Sequence, residues 1–295
     1  MNSIQKLLTR VDSFQQRHPV LAFPLAVIKK FGDDQAGYQA ALITYYGFLS
    51  LFPLFMVALS LLPLVAGNNP ELQQSIIGGA LDYFPLFGDD LRRNIVAYRA
   101  HGAALIVGLL FAFYGARGIA NVLQDVSNAI WQVPKNKRPG FPLNLLRSMG
   151  IIVVGGTGLV ITTVSLGFVA AQTGWGVAGK VLLAVAALVL NTLVFWLIAR
   201  LATVNRIATR SLLVGAVTAA CFWLLLQLAG TTLLIHQLKG ASALYGTFAV
   251  VLGLLFWLYM QAELYVYALE INVVKSKKLW PRKLFDSDQE LKKQK

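Results

Sequence analysis

"LYMQAELYVYALEINVV", residues 258–274, decides how this chain is read. The stretch is apolar enough to sit in a bilayer, yet it holds Glu263 and Glu270. It is the last of six long apolar runs. Runs of roughly 18 or more apolar residues mark membrane spans, because about 20 helical residues cross a hydrocarbon core of about 30 Å. Hydrocarbon offers no partner to backbone N–H and C=O groups, so the spans are expected to be helices. Composition agrees: 57% of the 295 residues are hydrophobic and only 13% charged, against about 25% charged in ordinary soluble domains.

The six predicted spans are Ala40–Ala66, Gly102–Ala120, Ser148–Ala171, Val181–Ala199, Leu212–Ile235 and Leu244–Val274. The predicted fold is an all-α polytopic bundle of six transmembrane helices with short amphipathic interfacial helices. Residues 1–39 form an N-terminal arm, 40–274 the membrane domain and 275–295 a basic tail. Lysine and arginine orient it. Of 26 such residues, five lie in the arm, five between spans 2 and 3 (with Arg117), three in 200–211 and eight in the tail. The other three connections share five. By the positive-inside rule both termini are expected in the cytoplasm. The net charge of +13 is then explained by loop placement and contact with anionic headgroups rather than by nucleic acid.

Two stretches read as interfacial. Residues 18–31, "HPVLAFPLAVIKKF", are too short to span and lead into span 1 through Gly32-Asp33-Asp34, whose acids suit a helix N-terminus. In the connection 67–101, Leu72, Ile76 and Leu81, then Leu91, Ile95 and Tyr98, predict two short amphipathic helices. Span 2 is expected to run on past the membrane, because Ile119, Val122, Leu123, Val126 and Ile130 form one helical stripe. No continuous apolar signal peptide is visible near the N-terminus.

The intramembrane carboxylates demand company. A charge at the bilayer centre costs about 2.5–3.5 kcal/mol on insertion scales. Seven residues turn a helix by about 700°, so Glu263 and Glu270 share a face and stand about 10.5 Å apart along the axis. Glu270 is only five residues from Lys275, which allows a wetted position near the interface. Glu263 is the deeper one, and protonation, pairing or water is expected there. Arg117, at the inner end of span 2, is the expected partner, with Arg200 second. Asn272 completes this predicted polar site. Asp34, Tyr45, Ser50, Pro53, Asn191, Tyr245, Gly246 and Trp257 are read as packing or hinge positions. Pro53 frees the carbonyl of Leu49. Asn191 and Gln227 are expected to bond between helices, and "GGTG" (155–158) to let helices approach closely.

Other chemistry finds little support. His18, His101 and His236 are scattered, and neither H-E-x-x-H nor G-x-S-x-G occurs. No catalytic residue, metal or cofactor is predicted, and no RNA-stacking module is present. The one cysteine, Cys221, cannot form an internal disulfide.

Three blocks resemble the YihY/BrkB inner-membrane proteins, once labelled ribonuclease BN. They are "DDQAGYQAALITYYGFLSLFPLF" (33–55), "ARGIANVLQDVSNAIWQV" (116–133) and "LYGTFAVVLGLLFWLYMQAELYVYALEINVV" (244–274). Two departures stand out: Ala268-Leu269-Glu270 replaces Gly-Ala-Glu, and Val204-Asn205 replaces Pro-Asn. The resemblance implies a six-helix protein of the bacterial inner membrane with cytoplasmic termini and a role in the cell envelope. Transport, export or lipid handling through a buried Glu/Arg site is the expected function, with an unidentified small-molecule or lipid substrate. The alternative is a structural or accessory protein whose charges serve packing. A membrane-tethered ribonuclease ranks last. The expected partners are the bilayer and anionic headgroups at the basic tail, with a homo-oligomer left open.

Overall fold

Pro19 opens the first helix, where its missing N–H costs nothing. Helix α1 runs Pro19–Asp33 and continues through Pro24. A two-residue turn, Asp34–Gln35, leads directly into α2, Ala36–Ala66. Four long helices follow this pattern of apolar residues: α3 (Ala103–Ile130), α4 (Leu143–Ala171), α5 (Val177–Ala202) and α7 (Phe248–Ser276), with the shorter α6 (213–227) before the last. Single 3-10 turns, Lys135–Lys137 and Thr209–Leu212, lead towards α4 and into α6. The structure is a computed structural model that describes residues 18–66, 103–171, 176–204, 207–227 and 248–282, with Phe14, Asn69, Glu71 and Gln74. Among the described residues there is no strand.

Each of the six predicted spans falls at least in part on one of α2 to α7. Among the described residues three segments are long and apolar enough to cross a membrane: Val181–Ala202, Thr209–Gln227 and Val251–Ser276. Helix α3 continues unbroken past residue 120 to Ile130. The connection 67–101, with its two expected amphipathic helices, lies outside the described residues apart from Asn69, Glu71 and Gln74, as do Tyr245, Gly246 and His236.

Hydrocarbon tails are as apolar as leucine, so helices in lipid associate through close packing and small residues. The most extensive pair, α2 with α3, follows that rule. A Cβ on Gly115 would stand 2.8 Å from the Ser50 Cβ and 2.9 Å from its Cα, and one on Gly118 would collide with the Tyr46 ring. In the α4–α5 pair, a Cβ on Gly158 would meet Val194 at 2.6 Å. Of the "GGTG" glycines only Gly158 makes such an approach; a Cβ on Gly155 or Gly156 would meet nothing within 4 Å. The outer face of α5 carries exposed Val181, Leu182, Val185 and Val189, as a lipid-facing surface requires.

Three helices end on a residue in the left-handed region that is not glycine: Gln35 (φ 50°), Gln132 (φ 56°) and Lys278 (φ 53°). The reason is visible at α3 and α7. Val133 N–H donates to Asn128 O (2.8 Å) and Gln132 N–H to Ala129 O (2.8 Å). Leu279 N–H donates to Val274 O (3.0 Å) and Lys278 N–H to Lys275 O (3.3 Å). Both are Schellman motifs, which satisfy terminal carbonyls and place an apolar residue after the turn. They mark one end of the bundle, called here the basic end because Lys135, Lys137, Lys275 and Lys278 are exposed there.

Candidate functional site

Helix α1 is inverted relative to a helix lying on water. Ala22, Ala26, Val27 and Lys30 face inward and are buried, whereas Val20, Leu21 and Ile28 are exposed. Spacings of three, four and eight residues from Val27, Ala26 and Ala22 put Lys30 on the inner face with them. It is only 1% exposed. Its ammonium has three donors, and each has an acceptor. Nζ donates to Glu270 Oε2 of α7 at 2.7 Å, to the Ile130 carbonyl at 3.2 Å and to the Asp34 carboxylate one turn on. Glu270 is 0% exposed, and its second oxygen, Oε1, has no hydrogen-bond partner among the described residues.

The Ile130 carbonyl belongs to the last turn of α3, where four carbonyls lack an intrahelical donor and the dipole is negative. Lys30 therefore caps α3 while pairing with α7. A second lysine does the same one residue later: Lys277 Nζ donates to the Trp131 carbonyl at 3.0 Å and sits 5.9 Å from that ring's centroid. Partial burial, and then the nearby Lys30 charge, hold the Lys277 ammonium below the usual lysine value, with Asp34 opposing. Asp33 reaches Arg282 at 2.8 Å and Lys29 at 3.8 Å. Phe31 stacks on Tyr267 with centroids 3.9 Å apart, and Phe23 meets Trp280 edge-on at 5.2 Å. Ion pairs and rings thus strap α1 to α7 and to the segment that follows it.

The expected roles of the two glutamates are reversed. Glu270 is the enclosed, paired carboxylate. Glu263 is half-buried, lies near Tyr259 and Tyr267, and forms no hydrogen bond or ion pair among the described residues. Arg117 is exposed on α3 and pairs with neither glutamate; the cation at Glu270 is Lys30. A signal for it exists in the sequence, since Lys30 falls on the buried stripe of α1 and four residues before Asp34. Charge counting alone treats it as one more loop lysine. Asn272, 200° round the helix from Glu270, faces α6, where its Oδ1 accepts the Gly215 N–H at 3.2 Å.

The packing positions resolve individually. Asp34 caps the end of α1 and its carbonyl accepts Gln39 Nε2 at 3.0 Å. Tyr45 is exposed beside Tyr46. Ser50 opposes Gly115 and donates to Gly47 O at 2.9 Å. Helix α2 passes through Pro53 without interruption. Asn191 is buried but donates to Ala187 O of its own helix (2.9 Å), not to a neighbour. Gln227 Nε2 is buried without a hydrogen-bond partner among the described residues. Trp257 is buried against Leu226.

Sequence reasoning also missed a knot among α3, α4 and α5. Asn128 Nδ2 donates to Ala202 O (3.1 Å) and its Oδ1 accepts Val204 N–H (3.2 Å), so one amide closes the end of α5. Gln124 donates to Ser148 (2.9 Å), which donates to Asn121 (2.8 Å), and Arg147 donates to Thr203 O (3.1 Å).

Between these polar layers and the far end lies a crevice of about 190 Å³. Five helices line it, through Thr44 and Gly47 (α2), Leu123 (α3), Phe195 (α5), Trp223 (α6) and Tyr265 (α7). Among the described lining residues, polar side-chain atoms come from Thr44, Gln261, Tyr265 and the indole of Trp223. The Thr44 hydroxyl is spent on Ala40 O. The Tyr265 hydroxyl is buried and faces Ser127 without a well-formed hydrogen bond. Glu263 is not among the lining residues.

Apolar helices closed by a buried ion cluster and opened by an apolar crevice define a helical membrane protein. The chain belongs to the family of the virulence factor BrkB, whose profile matches residues 27–290. It is 26% identical over 274 residues to the inner membrane protein YhjD of Escherichia coli K12, covering 84% of this chain and 79% of that protein. A UPF0761 membrane protein of Alcanivorax borkumensis is 26% identical over 254 residues, 82% of this chain and 57% of its own length. One from Aliivibrio salmonicida is 24% identical over 234 residues, 77% and 74% respectively. The chain therefore spans little more than half of the Alcanivorax protein. No solved structure matches it.

Proposed function

We propose that this protein is a six-crossing protein of the bacterial inner membrane, with both termini cytoplasmic, that works as a transporter, exporter or lipid-handling protein of the cell envelope. The apolar crevice lined by five helices carries the reading. In this scheme the crevice holds substrate, and the Lys30–Glu270–Asp34 cluster clamps the cytoplasmic end beneath it. The protein performs no covalent chemistry, and its basic end rests on anionic headgroups through Lys275, Lys277 and Lys278. The excess of lysine and arginine on one set of connections supports the orientation, and the relative named an inner membrane protein supports the location.

A second reading keeps the cluster as a permanent packing device. What favours it is the complete enclosure of Glu270 and the use of all three Lys30 donors. One experiment separates the two. In a Cys221→Ser background, Phe31→Cys with Tyr267→Cys links α1 to α7 by a disulfide. Complementation of a deletion strain is then scored by envelope permeability to a hydrophobic dye. A working clamp predicts loss of complementation on oxidation and recovery on reduction. Full complementation by the oxidised protein would leave only the packing role.

A further inference from the structure

We infer that the crevice is a binding site for one acyl chain of a membrane lipid. The inference rests on the crevice being the working cavity of the proposed function, and it names the class of molecule that fills it.

The lining decides the chemistry. It is almost wholly apolar, and the Thr44 hydroxyl is already committed within its own helix. A water needs two to four polar partners, and apolar cavities of about 150 Å³ stay dry and admit hydrocarbon. At about 190 Å³ this crevice exceeds that size. An empty void of this kind leaves its walls without dispersion partners, so an occupant of matching shape is favoured. Charged solutes are excluded, because no charged side chain in the lining would compensate their desolvation.

The location decides the source. Trp223 and Leu226 belong to the apolar segment Thr209–Gln227, Phe195 and Ile198 to Val181–Ala202, and Tyr265 to Val251–Ser276. These are the segments able to cross a membrane, so the molecules at hand are bilayer lipids. Acyl chains gain no hydrophobic energy on leaving the bilayer for an apolar site. Selectivity must then come from filling the void.

Gly47 provides the means to test this. It lines the crevice, and a Cβ there would meet nothing within 4 Å, so a larger side chain can grow into the void. The full chain is reconstituted in phosphatidylethanolamine/phosphatidylglycerol vesicles containing a phosphatidylethanolamine with a diazirine midway along one acyl chain. After irradiation, labelled residues are mapped by mass spectrometry. The expected result is labelling of inward-facing positions around Leu123, Phe195, Trp223 and Tyr265. It falls about tenfold in Gly47→Phe and is unchanged in Gly156→Leu, which projects from α4. A probe with the diazirine on its headgroup should not label these positions. Labelling confined to outward positions such as Val181, Val185 and Val189 of the wild-type protein would overturn the site, whether or not Gly47→Phe folds. So would equal labelling of a folded Gly47→Phe variant. Labelling that persists in the wild type while Gly47→Phe still complements the deletion strain supports the chain site and removes the transport reading instead.

Discussion

Lys30 of α1 donates to Glu270 of α7 at 2.7 Å across 240 residues of sequence, and both side chains are sealed from solvent. One ammonium thereby joins three elements: the strap α1, the end of α3 and the last helix. Removing either partner strands a charge in a place with no water. Breaking such a pair costs about 3–5 kcal/mol, whereas replacing both members with apolar residues is often close to neutral. Lys30→Met should therefore lower stability by about 3–5 kcal/mol, and Lys30→Met with Glu270→Leu should recover most of that loss. Thermal unfolding in detergent measures both. Strict additivity of Lys30→Met and Glu270→Leu would show that the two do not interact.

Helix ends on Gln35 and Gln132 carry a steric cost that glycine would avoid. A left-handed residue with a Cβ is unfavourable by about 1–2 kcal/mol. Since both side chains are exposed, Gln35→Gly and Gln132→Gly should each raise stability, by about 0.5–1 kcal/mol after the larger unfolded-state entropy of glycine is counted. Gln132→Val should lower it. A fall in melting temperature for both glycine variants would contradict the capping assignment.

Glycines in this bundle divide by what faces them. Gly115→Ala would press a methyl group into the backbone of α2 at Ser50, and overpacking of that kind costs about 1–3 kcal/mol. Gly156→Ala has open space and should be neutral or stabilising by up to about 1 kcal/mol. The comparison of the two melting temperatures is the test, and equal effects would mean that α2 and α3 do not meet at Ser50.

Lys277 links stability to alkaline pH. Its folded value lies below the ordinary 10.5, so between the two the unfolded chain binds more protons than the folded one. Stability then rises with pH across that window and is unaffected by this group below it. In Lys277→Met the contribution disappears. The wild-type minus variant stability, followed by unfolding at stepped pH, should climb as pH approaches 10.5 and level off above. A difference that falls across the window would reverse the assigned sign.

The helical membrane class was legible in the residues themselves. Hydropathy is a short-range property, and each predicted span overlaps a helix because twenty consecutive apolar residues have few other ways to satisfy their backbone. The motif blocks around Tyr45-Tyr46, Trp131 and Glu270 were enough to indicate the family, which the profile match establishes. What the residues could not state was who meets whom. Periodicity put Glu263 and Glu270 on one helix face, but the burial of each depends on which helix lies across from it. The strap α1 covers Glu270 and leaves Glu263 half-open. Lys30 looked like one more loop charge until the Asp34–Gln35 turn directed α1 against α7. Pairing, enclosure and the crevice arise from contacts between segments far apart in the chain, and only their arrangement in space could decide them.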